Sequence, residues 1–179
     1  MESEGAGCIV TLGGDGTNRV VAKGNNSVPT LPISTGTNNV FPLLVEGTIA
    51  GMAAGVVANR LVSLKECTSL STKLEVVLDE KVVDLALVDV VVYDDVFVAS
   101  RAVLNMEKVH QIFLNRAEPH SIGLSSVGGL LLPIRFDESR GLCLEVGNTG
   151  RFVTAPVAPG LIKKISVSTP RIMNIGDEI

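Results

Sequence analysis

The fold of this chain is decided by one short stretch, Cys8-Ile9-Val10-Thr11-Leu12-Gly13-Gly14-Asp15-Gly16-Thr17-Asn18. Its apolar, β-branched first half predicts a strand over residues 8–12, which closely spaced glycines end in a sharp turn. Because glycine has no Cβ, the backbone there can approach a ligand closely, and its successive N–H groups can surround an anion. A helix starting at this turn would add unpaired amides and the positive end of its dipole. We therefore predict a phosphate-binding turn with Asp15 beside it.

The better-known phosphate-binding motifs differ from this one. The P-loop requires Lys followed by Ser or Thr after its last glycine, and the dinucleotide-binding fingerprint requires a third glycine where this chain has Arg19. The alternative is a tight connection between a strand and a helix. In that case Thr17 would cap the helix, and Asp15 would accept hydrogen bonds from nearby amides.

A second stretch of the same kind follows, Leu31-Pro32-Ile33-Ser34-Thr35-Gly36-Thr37-Asn38-Asn39-Val40-Phe41-Pro42. It predicts a strand over residues 30–34, a turn at Gly36 and then a helix. Thr37 and Asn38 can both donate and accept hydrogen bonds, so they suit a ribose or a phosphate. For Asn39, turn formation with capping of the next helix and contact with a ligand both remain open.

Together the two stretches resemble the NAD kinase and diacylglycerol kinase superfamily, which carries GGDGT after one strand and Gly-Thr-x-Asn after the next. The details are similar to the AcoX-type ATP-NAD kinase-like branch, named for acetoin catabolism protein X. Besides residues 33–42, the similarity rests on Arg116-Ala117-Glu118-Pro119 and Ile122-Gly123-Leu124-Ser125. The resemblance covers most of the chain and is weaker beyond Val127.

The resemblance implies a kinase that moves a phosphate from ATP to a hydroxyl, with the 2′-hydroxyl of NAD as the favoured acceptor and Mg²⁺ as cofactor. In NAD kinases the matching aspartate is catalytic, so that role falls on Asp15, as general base or as a holder of Mg²⁺. The residues expected to bind nucleotide or phosphate are Gly13, Gly14, Gly16, Thr17, Gly36, Thr37, Asn38 and Asp89. The superfamily also implies an active site between two domains and homo-oligomers that form through the β-domain.

Two segments depart from the family pattern. NAD kinases bind nucleoside groups with an Asn-Glu pair, and the matching positions here are Val88 and Asp89. Burying a lone carboxylate on an apolar strand is costly unless it is paired, so Asp89 should contact a ligand or form a salt bridge with Arg101 or Arg116. Residues 122–129 also have a different sequence from the Gly-Ser-Thr-Ala-Tyr segment that the family carries at a similar place. Both departures imply a changed nucleoside pocket or a different acceptor.

Composition excludes several other classes of function. The chain has 179 residues, is 46% hydrophobic and has a net charge of −4, so it can bury a core but has no basic face for nucleic acid. We see no secretory signal, and the apolar residues 47–64 are too short for a membrane span. The three cysteines are far apart and predict neither a disulfide framework nor a metal site. We therefore expect a cytoplasmic protein without a membrane partner.

The pattern of elements predicts two domains. Residues 1–64 form an α/β part with a parallel, Rossmann-like sheet, whose helices cover residues 18–23 and, after an N-cap at Thr48, residues 49–62. Gly51 and Gly55 predict close packing of the second helix on a sheet. Only about seven residues precede the first strand, and a two-stranded parallel sheet is small, so we expect that an N-terminal portion is missing from this chain.

Residues 65–179 predict a mainly antiparallel β-domain. The expected strands are residues 74–78, 82–92 and 96–100, then 121–125, 130–136, 142–146, 151–155 and 162–168, with a short amphipathic helix over Glu107–Asn115. Two other functions remain open beside the NAD kinase-like one. The chain could be a catalytically silent nucleotide-binding or regulatory protein, or a lipid kinase of the diacylglycerol type.

Overall fold

The computed structural model describes residues 2–25, 27–96 and 105–179. The chain forms two compact units, Met1–Leu70 and Ser71–Ile179. The predicted fold class is confirmed, because a parallel two-stranded sheet with helices precedes a mainly antiparallel β-sheet. The predicted boundary at residues 64 and 65 lies six residues earlier than the division between the units.

The first unit is built on two parallel strands, β1 (Ile9–Gly13) and β2 (Thr30–Ser34), as the sequence predicts. Helix α1 (Asp15–Gly24) connects them, and α2 (Gly47–Ala58) and α3 (Leu64–Cys67) follow. Both longer helices begin earlier than predicted. The N-cap of α1 is Gly14 rather than Thr17, because a single extended glycine is enough to leave the strand and enter the helix. The N-cap of α2 is Glu46 rather than Thr48.

Part of the apolar surface of the first unit remains exposed. Along β1 the buried Ile9, Thr11 and Gly13 alternate with Val10, 46% exposed, and Leu12, 68% exposed. On α2, a Cβ added to Gly51 or Gly55 would meet nothing within 4 Å. The prediction that these two glycines allow close packing on a sheet is therefore wrong.

The second unit begins with a hairpin of β3 (Leu74–Leu78) and β4 (Lys81–Ala86). Asp79 and Glu80 connect them with φ of 50° and 62°, the left-handed pair of a two-residue hairpin turn. The predicted single strand over 82–92 is wrong, because β4 ends at Ala86 and β5 (Asp89–Tyr93) joins another sheet. The carbonyls of Leu87 and Val88, between the two strands, accept hydrogen bonds from Asn115.

The larger sheet has five strands in the order β5-β6-β7-β8, with β9 paired to β7. The new strands are β6 (Val109–Leu114), β7 (Arg140–Ala158), β8 (Leu161–Val167) and β9 (Arg171–Asn174), and all pairings are antiparallel. The register of β7 shifts between Val146 and Arg151. The two strands predicted over 142–146 and 151–155 are therefore parts of one long strand, which pairs first with β6 and β9 and then with β8. Strand β9 was not predicted.

Three further predictions in this unit are corrected. The helix expected over 107–115 is a 3₁₀ turn, Met106–Lys108, followed by β6, because pairing with strands on both sides outweighs the helical spacing of its apolar residues. Residues 121–125 and 130–136 are not strands. Helix α4 (Leu124–Gly129) occupies this region, and Ile134 forms only an isolated bridge with Ala117. Of the strand predicted over 96–100, residues 97–100 lie outside the described residues.

The main core lies between the five-stranded sheet and α4. Ile112, Leu114, Leu142 and Leu144 from the sheet and Val127 from α4 are completely buried. Burial of each such aliphatic side chain contributes about 1.5–3 kcal/mol to folding. The second unit thus has a core of its own that does not depend on the glycine turns.

Gly129 provides a test of how α4 is packed. A Cβ at Gly129 would lie 2.5 Å from the carbonyl carbon of Glu118, which is backbone that cannot move aside cheaply. We expect Gly129→Ala to lower the free energy of unfolding by about 1–3 kcal/mol. The control is Gly51→Ala, which meets no neighbour and should stabilise α2 by up to about 1 kcal/mol. Urea unfolding measures both changes, and equal effects would contradict the packing of α4.

Glu46 provides a test that depends on pH. Its carboxylate accepts hydrogen bonds from the amides of Thr48 and Ile49, and these bonds lower the pKa of Glu46 below its ordinary value. Because the folded-state pKa is lower than the unfolded one, this contribution is present above the unfolded-state pKa and is lost as pH falls through the folded-state pKa. We expect Glu46→Ala to melt at a lower temperature than wild type at pH 7, and the gap to close on acidification. A gap that stays the same size as the pH falls would contradict the role of the Glu46 carboxylate.

Candidate functional site

The two glycine turns lie side by side at one edge of the small sheet. Gly13 at the end of β1 pairs with Ser34 at the end of β2, so the segments that follow both strands start next to each other. Ligands of parallel α/β sheets bind at the carboxyl ends of the strands. The fold therefore brings together Asp15 and the residues predicted around Gly36.

The N-terminus of α1 has amides available to an anion. The first backbone hydrogen bond entering the helix runs from Asn18 N–H to the carbonyl of Gly14 at 3.2 Å, and no side chain caps the helix. The N–H groups of Asp15, Gly16 and Thr17 precede that bond, as the first amides of any helix do. A Cβ added at Gly16 would meet no described atom within 4 Å, so there is open space beside this residue.

The other glycines of the two turns have neighbours within the protein. A Cβ at Gly13 would collide with the side chain of Thr17, and one at Gly14 would lie 2.6 Å from Asn39 Oδ1. A Cβ at Gly36 would lie 3.0 Å from Asn39 Nδ2. A side chain at Gly13 or Gly14 would therefore displace a neighbour, one at Gly36 would be tight, and one at Gly16 would meet no described atom.

The carboxylate of Asp15 is directed toward the second turn. Its Oδ1 accepts from Val40 N–H at 3.1 Å and from Phe41 N–H at 2.7 Å, and its Oδ2 lies 3.2 Å from Val40 N. The side chain is half-buried. Asp15 thus joins the start of α1 to the segment after β2, through amides that are distant in the chain and not the nearby ones of a local turn.

Asn18 is a positioning residue that the sequence reasoning missed. It is 1% exposed, its Oδ1 accepts from the Thr11 hydroxyl at 2.7 Å, and its Nδ2 donates to the Gly14 carbonyl at 2.9 Å. These bonds tie β1 to the first turn of α1. A helical spacing argument applied to α1 could have found it, because Asn18 is the buried residue of that helix.

The remaining predicted residues of this unit lie at the surface. Thr37 and Asn38 are exposed, and the Thr37 hydroxyl donates to Asn38 Oδ1 at 3.1 Å. Thr17 is also exposed, although its side chain packs over Gly13. All three are open to a ligand bound at the rim of the turns, and none is held by buried contacts.

Asp89 belongs to the other unit. It is the first residue of β5, it is half-buried, and it pairs with Leu114 of the neighbouring strand. Of its two predicted partners, Arg101 lies outside the described residues. Arg116 is 6% exposed and donates from Nη2 to the Ser71 hydroxyl at 3.2 Å. A ligand role for Asp89 stays a prediction.

The comparisons with known proteins agree with the division of the chain into two units. Residues 1–61 match the ATP-NAD kinase N-terminal domain, and residues 72–179 match the acetoin catabolism protein X C-terminal domain. The chain belongs to the acetoin catabolism protein X family. It is 35% identical over 175 residues to the acetoin catabolism protein X of Cupriavidus necator, an alignment that covers 94% of this chain and 49% of the relative. The chain thus spans about half the length of the curated relative it matches. No solved structure matches it.

Other kinds of site were sought among the described residues. They contain no cluster of three or more His, Cys, Asp or Glu side chains that could hold a metal ion, and no helix long and apolar enough to cross a membrane. An open apolar groove of about 350 Å³ lies beside α2, lined by Ile49, Met52, Ala53, Val56, Val57 and Cys67. Burial raises the pKa of the Cys8 thiol, which disfavours the thiolate form that a nucleophile needs.

Asp15 and Thr37 provide a test of how the two turns are held. Asp15→Ala leaves the amides of Val40 and Phe41 without their charged acceptor, and hydrogen bonds of this kind contribute about 1.5–3 kcal/mol each. We expect Asp15→Ala to lower the free energy of unfolding, measured with urea, by about 1.5–3 kcal/mol. Thr37→Ala removes only an exposed bond and should change stability by less than about 0.5 kcal/mol. If Asp15→Ala left the free energy of unfolding unchanged, the hydrogen bonds from Val40 and Phe41 to Asp15 would be contradicted.

Proposed function

We propose that the protein is an ATP-NAD kinase-like phosphotransferase that moves the γ-phosphate of ATP to a hydroxyl, with the 2′-hydroxyl of NAD as the favoured acceptor. The observation that carries the proposal is the N-terminus of α1, with three uncapped amides beside the open space at Gly16. The match of residues 1–61 to the ATP-NAD kinase N-terminal domain supports it.

Phosphate binding follows from the charge at this helix terminus. Peptide dipoles place about half a positive charge at the end of α1, and its amides point toward that end, so phosphate oxygens are stabilised there. Gly16 lets the phosphate approach without meeting a side chain. Thr37 and Asn38 would contact the ribose from the exposed rim.

Asp15 would act as the general base. An ionised carboxylate has about four acceptor positions. Three are used by the contacts with Val40 and Phe41, which leaves one position on Oδ2 for a substrate hydroxyl. In the transfer, the bond from the γ-phosphorus to the bridging oxygen breaks, and a bond from phosphorus to the acceptor oxygen forms. The hydroxyl proton goes to Asp15, and ADP leaves.

Mg²⁺ is expected to arrive with the nucleotide. This ion is usually held by substrate phosphates and one or two carboxylates rather than by a protein cage, which fits described residues that contain no cluster of three or more metal-ligating side chains. When bound, it would neutralise charge on the phosphates. The amides of α1 would still orient the phosphate, and Asp15 would still orient the hydroxyl.

A second candidate is a silent nucleotide-binding or regulatory protein. It is favoured by the contacts of Asp15, whose carboxylate already accepts two backbone amides and so has a structural task without catalysis. This protein would bind ATP or NAD at the same amides but would transfer no phosphate.

The test incubates the full-length protein with ATP, Mg²⁺ and NAD and measures NADP with an NADP-specific dehydrogenase. Asp15→Asn should lower kcat by about 10²-fold or more through loss of the base. Its matched control is Glu46→Gln, which removes another carboxylate that accepts two amides in the same unit and should keep activity. Gly16→Ala should raise the KM for ATP at least tenfold, whereas Gly51→Ala, also helical and open, should not.

The outcomes separate the candidates. If wild type and Asp15→Asn both bind ATP by calorimetry and neither forms NADP, the silent binder replaces the kinase. Phosphorylation of diacylglycerol in place of NAD would point to a lipid kinase. If Gly16→Ala binds ATP as well as wild type, the phosphate does not bind at α1, and the proposal is wrong.

A further inference from the structure

Asn39 bonds within its own turn, as one of its sequence interpretations expected, and it also packs beside the first turn. Its Nδ2 donates to the Ser34 hydroxyl at 2.8 Å, and the Ser34 hydroxyl in turn donates to the Gly36 carbonyl at 3.0 Å. Asn39 does not cap α2, because Glu46 does. The residue is half-buried, and Ser34 is buried.

The oxygen and the nitrogen of the Asn39 amide each lie close to a glycine, Gly14 and Gly36 respectively. Its Oδ1 would be 2.6 Å from a Cβ at Gly14, and its Nδ2 would be 3.0 Å from a Cβ at Gly36. A Cβ at Gly14 could therefore be accommodated only if the Asn39 amide shifted. Asn39 therefore reaches from the second turn onto the backbone residue that introduces α1.

A contact at Gly14 acts directly on the helix terminus. Gly14 is the N-cap of α1, and its carbonyl accepts the first hydrogen bond of the helix from Asn18. Asp15, one residue on, is held by Val40 and Phe41, which directly follow Asn39. Asp15 is thus bonded to the second turn, and the Asn39 amide, bonded to Ser34, packs beside Gly14 of the first.

We propose that Asn39 is a positioning residue that sets the spacing of the two turns and thereby makes the amides of Asp15, Gly16 and Thr17 competent to bind phosphate. The inference rests on the proposed function for its ligand and goes beyond it in assigning Asn39. Asn39 does not contact the phosphate itself. It acts through the backbone at Gly14 and through Ser34.

The experiment is a double-mutant cycle in the full-length protein with Gly14→Ala, Asn39→Ala and the double variant. Melting temperature reports stability, and calorimetry with inorganic pyrophosphate reports the anion site. Gly14→Ala alone should melt well below wild type because its methyl meets Asn39. In the double variant this clash is absent, so the loss of melting temperature should be smaller than the sum of the single losses.

Binding should behave differently from stability. Asn39→Ala and the double variant should both weaken pyrophosphate binding at least tenfold, because a methyl group at Gly14 cannot replace the bond to Ser34. Ser34→Ala should weaken binding in the same direction, since it removes the anchor of Asn39. Gly51→Ala is the matched control and should leave the pyrophosphate Kd unchanged.

Two results would overturn the inference. One is an Asn39→Ala variant whose pyrophosphate Kd stays within twofold of wild type. The other is a double variant that regains both stability and binding, since Asn39 would then only fill space. If wild type binds neither pyrophosphate nor ATP, the proposed function fails by itself. The cycle then decides on stability alone: sub-additive losses support the link between the turns, and additive losses overturn it.

Discussion

The first unit depends on the hydrogen bonds between the Asp15 carboxylate and the amides of Val40 and Phe41. They connect residues 25 and 26 positions apart in the chain and are the charged contacts between the two turns. A two-stranded parallel sheet has little area with which to hold its loops. The Asp15 carboxylate, bonded to two backbone amides, holds these loops in place where packing contributes little. The Asn39 amide, bonded to Ser34 and packed beside Gly14, is a second constraint on them.

The same arrangement limits what Asp15 can do chemically. A carboxylate that holds the protein together and also receives a substrate proton must divide its acceptor positions between the two tasks. The geometry leaves one position on Oδ2, while the neighbouring amides at the start of α1 have no side-chain cap within the part of the chain that the structure describes. Binding of an anion therefore requires less of this site than phosphoryl transfer does, which is why assays that separate binding from turnover are informative.

Residues fall into three groups when judged by what surrounds them. Gly13, Gly14 and Gly36 lie against side chains of the same unit, a Cβ at Gly16 would meet no described atom within 4 Å, and Thr37 and Asn38 are exposed. The glycines of GGDGT therefore differ in their surroundings, and only some of them are explained by packing. Sequence alone assigned them all to the ligand, because packing and ligand binding can each require glycine.

The sequence by itself determined the two strands of the first unit, the turns that follow them, the change to antiparallel β-structure and the family. These depend on local patterns, namely runs of β-branched residues, glycine-rich turns and short motifs. Tertiary structure alone decided that residues 109–114 form a strand between two others, that α4 and turns stand where two strands were expected, and that β7 is continuous. Pairing partners far along the chain outweigh local spacing in those segments. It also decided where the Asp15 carboxylate is directed, since its two donors come from a segment that no local pattern connects to it.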